Sequence, residues 1–331
     1  MSRIEKIWYE GHWASIPLLP LSWLFRLIVM MRRCLYQWGW LKSSQFPVPL
    51  IVVGNISIGG TGKTPFVIWL VNYLRINGYS PGIILRGYGG NATEWPRQVS
   101  ADSDPLEVGD EAVLLARRCH CPVVAAPDRV AAATALLESN DCNIIISDDG
   151  LQHYAMGRDI EIAIVDGERR FGNRQMLPAG PLREPVTRLL EVDLVIVNGD
   201  QASNGEYRMT LSQCSLYNLL DTSRHEAIAL FKGKTVHAVA GIGNPDKFFQ
   251  WLKKSGVEAI AHPFVDHHTY TPDDLAFGDD RPVIMTEKDA VKCTHLARPN
   301  HWVVGIEMSP EVGVETKLRT LLKEFEVIHN N

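Results

Sequence analysis

The sequence predicts an α/β protein: a doubly wound, mostly parallel sheet domain and a second, smaller α/β domain joined to it by a short β linker. Three observations predict this. Apolar runs of strand length alternate with helical patterns along most of the chain, as in a parallel sheet covered on both faces. One such run, ending at Val53, leads directly into a glycine-rich turn and a helix. A polar, aperiodic stretch, 201–232, separates two blocks of alternation. The 331 residues suit about two domains. A hydrophobic content of 46% against 21% charged residues provides a core and excludes a disordered, collagen-like or disulfide-scaffold chain. Six cysteines include no Cys-x-x-Cys pair, and Cys119-His120-Cys121 is too tight for a zinc pair, so it reads as strand packing ahead of 122–126. The net charge of −5 argues against general nucleic-acid binding.

Residues 1–45 stand apart as a membrane-interface region. Six basic residues face two acidic ones within the first 42, a net of +4, so the rest of the chain carries −9. The same segment holds five of the nine tryptophans: Trp8, Trp13, Trp23, Trp38 and Trp40. Its apolar stretch, 16–31, is broken by Pro17, Pro20 and Arg26 and falls short of the ~20 residues a spanning helix needs. No cleavage-site pattern follows it. Beyond Pro20, Ser22, Arg26, Arg33 and Gln37 recur on one helical face, opposite Leu, Phe, Ile, Met and Trp. Such a helix lies in a bilayer interface, with Trp among the headgroups and Arg on anionic lipid. The alternative is a helix packed on the protein's own core with its arginines outward.

The first domain, 46–200, follows from strands at 48–53, 82–85, 122–126, 143–147, 160–165 and 193–197. Helices at 64–77, closed by Gly78, and at 110–118 and 128–139 lie between them. The smaller domain, 233–331, has strands at 235–240, 257–261, 282–286 and 302–306 and helices at 246–254, 271–277 and 314–325. The last helix is a candidate to pack back on the first domain. Sheets of this kind place ligands at the carboxyl ends of their strands.

The chemistry begins at such an end. Leu50-Ile51-Val52-Val53 runs into Gly54-Asn55-Ile56-Ser57-Ile58-Gly59-Gly60-Thr61-Gly62-Lys63-Thr64-Pro65 and an apolar helix. The backbone from Ser57 and Ile58 through Gly59, Gly60, Thr61 and Gly62 forms an anion cradle at a helix N-terminus. Lys63 reaches the β/γ-phosphates of a nucleotide, ATP, and the Thr64 hydroxyl ligates Mg²⁺. Ser57 stands where the usual phosphate-loop pattern begins with Gly. Asp148 and Asp149 close another apolar run; one binds Mg²⁺, directly or through water, and the other orients nearby groups. A GTPase reading is weakened because Thr286-Glu287-Lys288-Asp289 has its lysine in third place. A partitioning-type ATPase is weakened because Ile58 stands where its second lysine would be. A membrane-recruited nucleotide switch with slow turnover and a kinase acting on a membrane-bound acceptor remain, and acceptor dependence separates them.

Seven blocks together resemble the signature of the lipid A tetraacyldisaccharide 4′-kinases, P-loop lipid kinases of Gram-negative bacteria. They are the phosphate loop, Arg86-Gly87-Tyr88-Gly89, Gly109-Asp110-Glu111, Asp148-Asp149-Gly150-Leu151-Gln152-His153, Pro181-Leu182-Arg183-Glu184-Pro185, Asp266-His267-His268 and Thr286-Glu287-Lys288-Asp289-Ala290-Val291-Lys292. The resemblance runs in order from the N-terminal helix to about residue 292. It implies transfer of the ATP γ-phosphoryl, with Mg²⁺, to the 4′-hydroxyl of a tetraacylated glucosamine disaccharide 1-phosphate, giving lipid IVA. It also implies a peripheral enzyme at the cytoplasmic face of the inner membrane, with no nucleic-acid partner and no obligate protein partner. The implied active site lies in a cleft between two α/β/α domains. There the acid matching Asp110 and the histidine matching His267 pair to take the acceptor proton, a task the chemistry calls for because a sugar hydroxyl is protonated near neutral pH. Arg86, Arg129 and Arg183 are the candidate phosphate forks for the substrate. Glu184 either holds Arg183 or reaches the metal.

Overall fold

The computed structural model describes residues 3–10 and 13–329. The chain forms two compact units, one of Met1–Arg86, Asp128–Thr210 and Pro310–Asn331, the other of Gly87–Pro127 and Leu211–Ser309. Residues 87–127, expected within the first domain, therefore belong to the second unit, and most of the expected linker does too.

The first unit carries a parallel sheet. Leu50–Gly54 is central, flanked by Ile144–Asp148 and then Pro81–Leu85 on one side. On the other side lie Ile160–Asp166, Leu194–Asn198 and the start of Tyr207–Asn218. Leu50, Ile51, Val52 and Val53 are all buried, as expected for a strand covered on both faces. The strand begins at Leu50 and not at 48 because Pro47 and Pro49 have no N–H to give a ladder. The helix Lys63–Ile76 lays Phe66, Leu70 and Leu74 on this sheet at four-residue spacing, and Gly78, at φ +87°, ends it. The closing helix Val312–His329 belongs to the same unit. It buries Val314, Leu318 and Leu322 and receives the Tyr73 hydroxyl on the Glu315 carbonyl at 3.0 Å.

The N-terminal region differs from expectation in two ways. Trp13–Gln37 is one helical run, long and apolar enough to cross a membrane by length and composition alone. The prolines do not shorten it: Pro17 lies in the 3₁₀ turn Trp13–Leu18, and Pro20 occupies the first turn of the α-helix Leu19–Gln37, where the N–H is not needed. Part of the polar face is also the docked face. Ser22 is buried and donates to the Met176 carbonyl at 2.7 Å, Arg33 pairs with Glu191, and Phe25 and Val29 pack against Ile56, Phe171 and Leu182. The apolar face, with Leu21, Trp23, Leu24, Leu27, Ile28 and Met31, is left exposed.

In the second unit, parallel strands lie in the order Glu258–Pro263, Thr235–Ala240, Val283–Thr286 and His301–Pro310. Phe248 and Leu252 of the helix Pro245–Lys254 cover one face, with Phe231 and Trp302. Tyr270, Leu275, Met285 and Cys293 fill a second cluster. Arg97–Val99, a strand that the sequence pattern did not reveal, pairs antiparallel with the expected strand Val123–Ala125. Cys119 ends the helix Asp110–Cys119, and His120 turns the chain at φ +47°, so this cysteine packs from a helix and not from a strand. The helix expected at 271–277 is a single 3₁₀ turn, Pro272–Leu275. There the Asp274 carboxylate folds back on the Thr271 N–H and hydroxyl, both at 2.8 Å, closing a cap with no helix beyond it.

Candidate active site

In the first unit the phosphate loop is held open by its own backbone. Gly59 and Gly62 take φ +113° and +93°, which side chains rarely adopt. A Cβ on Gly62 would lie 2.5 Å from Asn198 Nδ2, the group that donates to the Thr61 carbonyl at 3.1 Å. Asn55, fully buried, donates to the Thr61 hydroxyl at 3.4 Å from the other side. Neither asparagine was assigned a role from the sequence. Asn55 lay inside the motif, but Asn198 comes from a distant strand end and gave no signal.

A second segment straps the loop. Ile58 N–H donates to the Pro181 carbonyl at 2.8 Å and Arg183 N–H to the Ile56 carbonyl at 2.7 Å. The strap is itself pinned by Ser22 at Met176 and by the Trp8 indole on the Pro178 carbonyl at 3.0 Å. Both N-terminal helices thus bear on the segment that frames the loop.

Lys63 opens the helix, and its ammonium lies 3.3 Å from Asp149 Oδ1. Arg183 donates to both Asp149 oxygens at 3.0 and 3.2 Å and approaches Gln152 Oε1 at 3.5 Å. Burial would raise the Asp149 carboxyl, but these two cations outweigh it and hold it well below the usual carboxylate range. Asp148, buried at the end of its strand, is in register with Val53 just before the loop. Thr64 stands in the first helical turn. Arg129 is buried, not a solvated surface residue; burial pulls its guanidinium down to about 10 despite Asp149 and Asp148 nearby. Arg86 is exposed at its strand end and adds to the positive field felt by Arg129. Burial, then Arg129, Arg32 and Arg86, lower the His153 imidazole to about 4, leaving it neutral. Arg32, from the N-terminal helix, donates to the Gln152 carbonyl at 3.4 Å.

Glu184 is engaged by residues other than Arg183. Its buried carboxylate accepts from Gln152 Nε2 at 2.7 Å and from the Tyr154 hydroxyl, with Arg188 beside it. Gln152 also donates to the Asn55 carbonyl at 3.0 Å, so Glu184 steadies the loop through Gln152.

In the second unit, Gly109 at φ +92° turns the chain into the helix Asp110–Cys119, and a Cβ there would lie 2.5 Å from the Tyr88 carbonyl. Asp110 is 4% exposed and its two oxygens lie 3.1 and 3.0 Å from His267 Nδ1. The two residues are 157 positions apart in sequence. His267 takes φ +61°, a left-handed conformation that costs about 1–3 kcal/mol in a non-glycine residue. Its ring packs beside Tyr88 at 5.0 Å, and Gly89 leaves room for it. Asp266 Oδ2 lies 3.7 Å from His267 Nε2, while His268 stacks on Phe264 and bonds Asp274, a packing role. Burial would raise the Asp110 carboxyl, but the hydrogen bond from His267 and the charges of Lys288, His267 and Lys292 bring it below its ordinary value. The hydrogen bond to Asp110 raises the His267 imidazole. Lys288 and Lys292, four apart on one helix face, were quoted only as part of a motif. Their spacing was the available signal.

No group of three or more metal-ligating side chains occurs among the described residues. This is compatible with Mg²⁺ at a nucleotide site, where one or two protein ligands are joined by phosphate and water.

Residues 14–324 match the family model described as tetraacyldisaccharide-1-P 4′-kinase. A tetraacyldisaccharide 4′-kinase of Nitrosococcus oceani is 50% identical over 98% of this chain and 95% of that protein. One of Alkalilimnicola ehrlichii is 48% identical over the full length of both. The crystal structure of LpxK from Aquifex aeolicus in complex with ATP superposes with a TM-score of 0.81 at 29% identity, covering 94% of this chain and 99% of that one.

Proposed function

Because this chain belongs to the tetraacyldisaccharide 4′-kinase family, we propose that Asp110 and His267 are the proton acceptor in its ATP-dependent phosphorylation of the 4′-hydroxyl of a tetraacyldisaccharide 1-phosphate. The observation that carries this is the buried carboxylate held by one imidazole nitrogen at 3.0 Å. The acceptor oxygen attacks the γ-phosphorus while its proton passes to the Asp110–His267 pair. The bond from the γ-phosphorus to the β,γ-bridging oxygen breaks, and its electron pair leaves with ADP. A positioned base contributes typically ~10²–10⁴ in rate to such a step.

The phosphate loop, Ser57 to Thr64, holds the donor. Lys63 and the loop's backbone N–H groups, except that of Ile58, which is spent on the Pro181 carbonyl, would meet the phosphates, and Asp149 with Arg183 fixes where the Lys63 ammonium sits. Thr64 and Asp148 are the residues that would hold Mg²⁺, since Asp149 is engaged by two cations; the donor set, a hydroxyl and a buried carboxylate, suits a hard ion. When bound, Mg²⁺ would neutralise charge on the β- and γ-phosphates. Arg86 and Arg129, close enough to act on the same groups, are assigned to the anionic substrate, with Arg183 as the residue that orders the site.

The helix Leu19–Gln37 docks this unit on a bilayer surface. Trp13, Trp23, Trp38 and Trp40 are 72, 64, 70 and 77% exposed, beside an unpartnered face of Leu, Ile and Met. A helix anchored to its own protein along Ser22, Phe25, Val29 and Arg33 lies in the interface and does not cross it. The surface faced is the cytoplasmic side of the inner membrane, where ATP is available.

The decisive assay supplies γ-labelled ATP, Mg²⁺ and purified tetraacyldisaccharide 1-phosphate in detergent micelles. Label on the glycolipid is expected. Slow, acceptor-independent ATP turnover with no labelled lipid would favour the nucleotide-switch reading instead.

A further inference from the structure

The family of lysines behind Asp110 has no part in the reaction as written so far. Lys292 is buried on the helix Glu287–Cys293, with its ammonium 3.2 Å from Asp289 Oδ1 and 3.8 Å from Asp110 Oδ2. Asp289 has no exposed surface. It accepts from the Gly241 N–H at 3.1 Å, the Tyr270 hydroxyl at 2.9 Å and the Thr286 hydroxyl at 2.6 Å. Tyr270 remains a neutral donor because burial, with the Asp289 charge, pushes its hydroxyl far up, and its ring lies 5.2 Å from the Lys292 ammonium. A hydrogen-bonded carboxylate therefore pairs, through charge and without a hydrogen bond, with a buried cation whose other anion is Asp110.

We propose that Lys292, ion-paired with Asp289, is a positioning residue that fixes the Asp110 carboxylate and keeps it ionised while the dyad accepts the substrate proton. Burying an ammonium is costly unless anions face it, and here the two anions are Asp289 and Asp110. The charged groups facing the dyad are these: Lys288 and Lys292 from the helix behind Asp110, Asp266 beside His267, and Glu111 on the far side of Lys288. Lys288 is divided between Glu111 at 3.2 Å and Asp266 at 3.3 Å, and its charge still acts on Asp110. Lys292 is the second cation on the same carboxylate, and the one that Asp289 places there. The inference rests on the dyad reading above.

The test reads the pH dependence of kcat/KM for phosphoryl transfer in full-length protein. A cation beside an acid–base pair favours the deprotonated form, so Lys292→Met should move the ascending limb to higher pH by on the order of one unit. Lys292→Arg should restore the limb. Asp289→Asn should move it the other way, to lower pH, because the Lys292 charge then acts on Asp110 uncompensated. A structural role would lower the height of the profile in both variants without opposite shifts. Should Lys292→Met fail to fold, Asp289→Asn against wild type decides alone. A limb that stays in place, or shifts of one sign in both variants, overturns the proposal. Asp110→Asn is measured alongside: full activity there would sink the dyad reading itself, whereas a dead Asp110→Asn with unmoved limbs sinks only the role of Lys292.

Discussion

The first unit builds the proposed phosphate-binding side from one contiguous stretch, Asn55 to Lys63, and secures it with backbone hydrogen bonds at Ile56 and Ile58. The second unit builds the proposed base from three separated pieces, Asp110, His267 and the helix Glu287–Cys293, and secures it with charges. The difference follows from what each must bind. Phosphate oxygens need many converging N–H donors, which only a turn of backbone supplies. A proton acceptor needs one carboxylate and one imidazole with tuned affinities, and tuning depends on neighbours brought by the fold.

Substitutions can break this contrast in descending order of effect. Lys63→Met, which removes the one side-chain cation of the cradle, should lower kcat by about 10²–10³, read in steady-state transfer assays. His267→Asn keeps a donor toward Asp110 but removes the titrating group, and kcat should fall by about 10². In the wild type, kcat/KM should rise with pH through a midpoint above the ordinary histidine value. The imidazole must lose its proton to accept another, and Asp110 makes it hold that proton to higher pH. In His267→Asn this limb should vanish. Leu24→Glu with Ile28→Glu should cut co-sedimentation with anionic vesicles more than tenfold, since each leucine or isoleucine contributes about 1.5–3 kcal/mol on burial, while transfer to a micellar acceptor changes far less. Gly62→Ala should cost the least, about 1–3 kcal/mol of stability by chemical denaturation, together with weaker ATP binding, because φ +93° and Asn198 both oppose a side chain.

Legibility in the sequence divides along the same line. The phosphate loop, its strand and its helix were readable because backbone chemistry needs glycines at fixed spacing, and a local pattern carries that need. Asp110 and His267 were readable as candidates only through the family resemblance; nothing local marks a pair 157 residues apart. Asn198, which supports the loop from a distant strand, left no trace at all. The role of Glu184 stayed open in the sequence for a related reason: its partners Gln152 and Tyr154 lie about 30 residues away along the chain. The helix Leu19–Gln37 was read as amphipathic, yet the docked side was found to be the one with Ser22 and Arg33. Polarity marks a face without saying whether water or protein meets it.

The division of labour is tested most directly by Asp110→Asn, measured for ATP affinity by calorimetry and for transfer with labelled ATP on the same preparation. ATP binding should stay within about twofold of wild type while transfer falls at least a hundredfold, the mark of an interaction used only in the chemical step. Binding and transfer falling together, or transfer persisting undiminished, would contradict it.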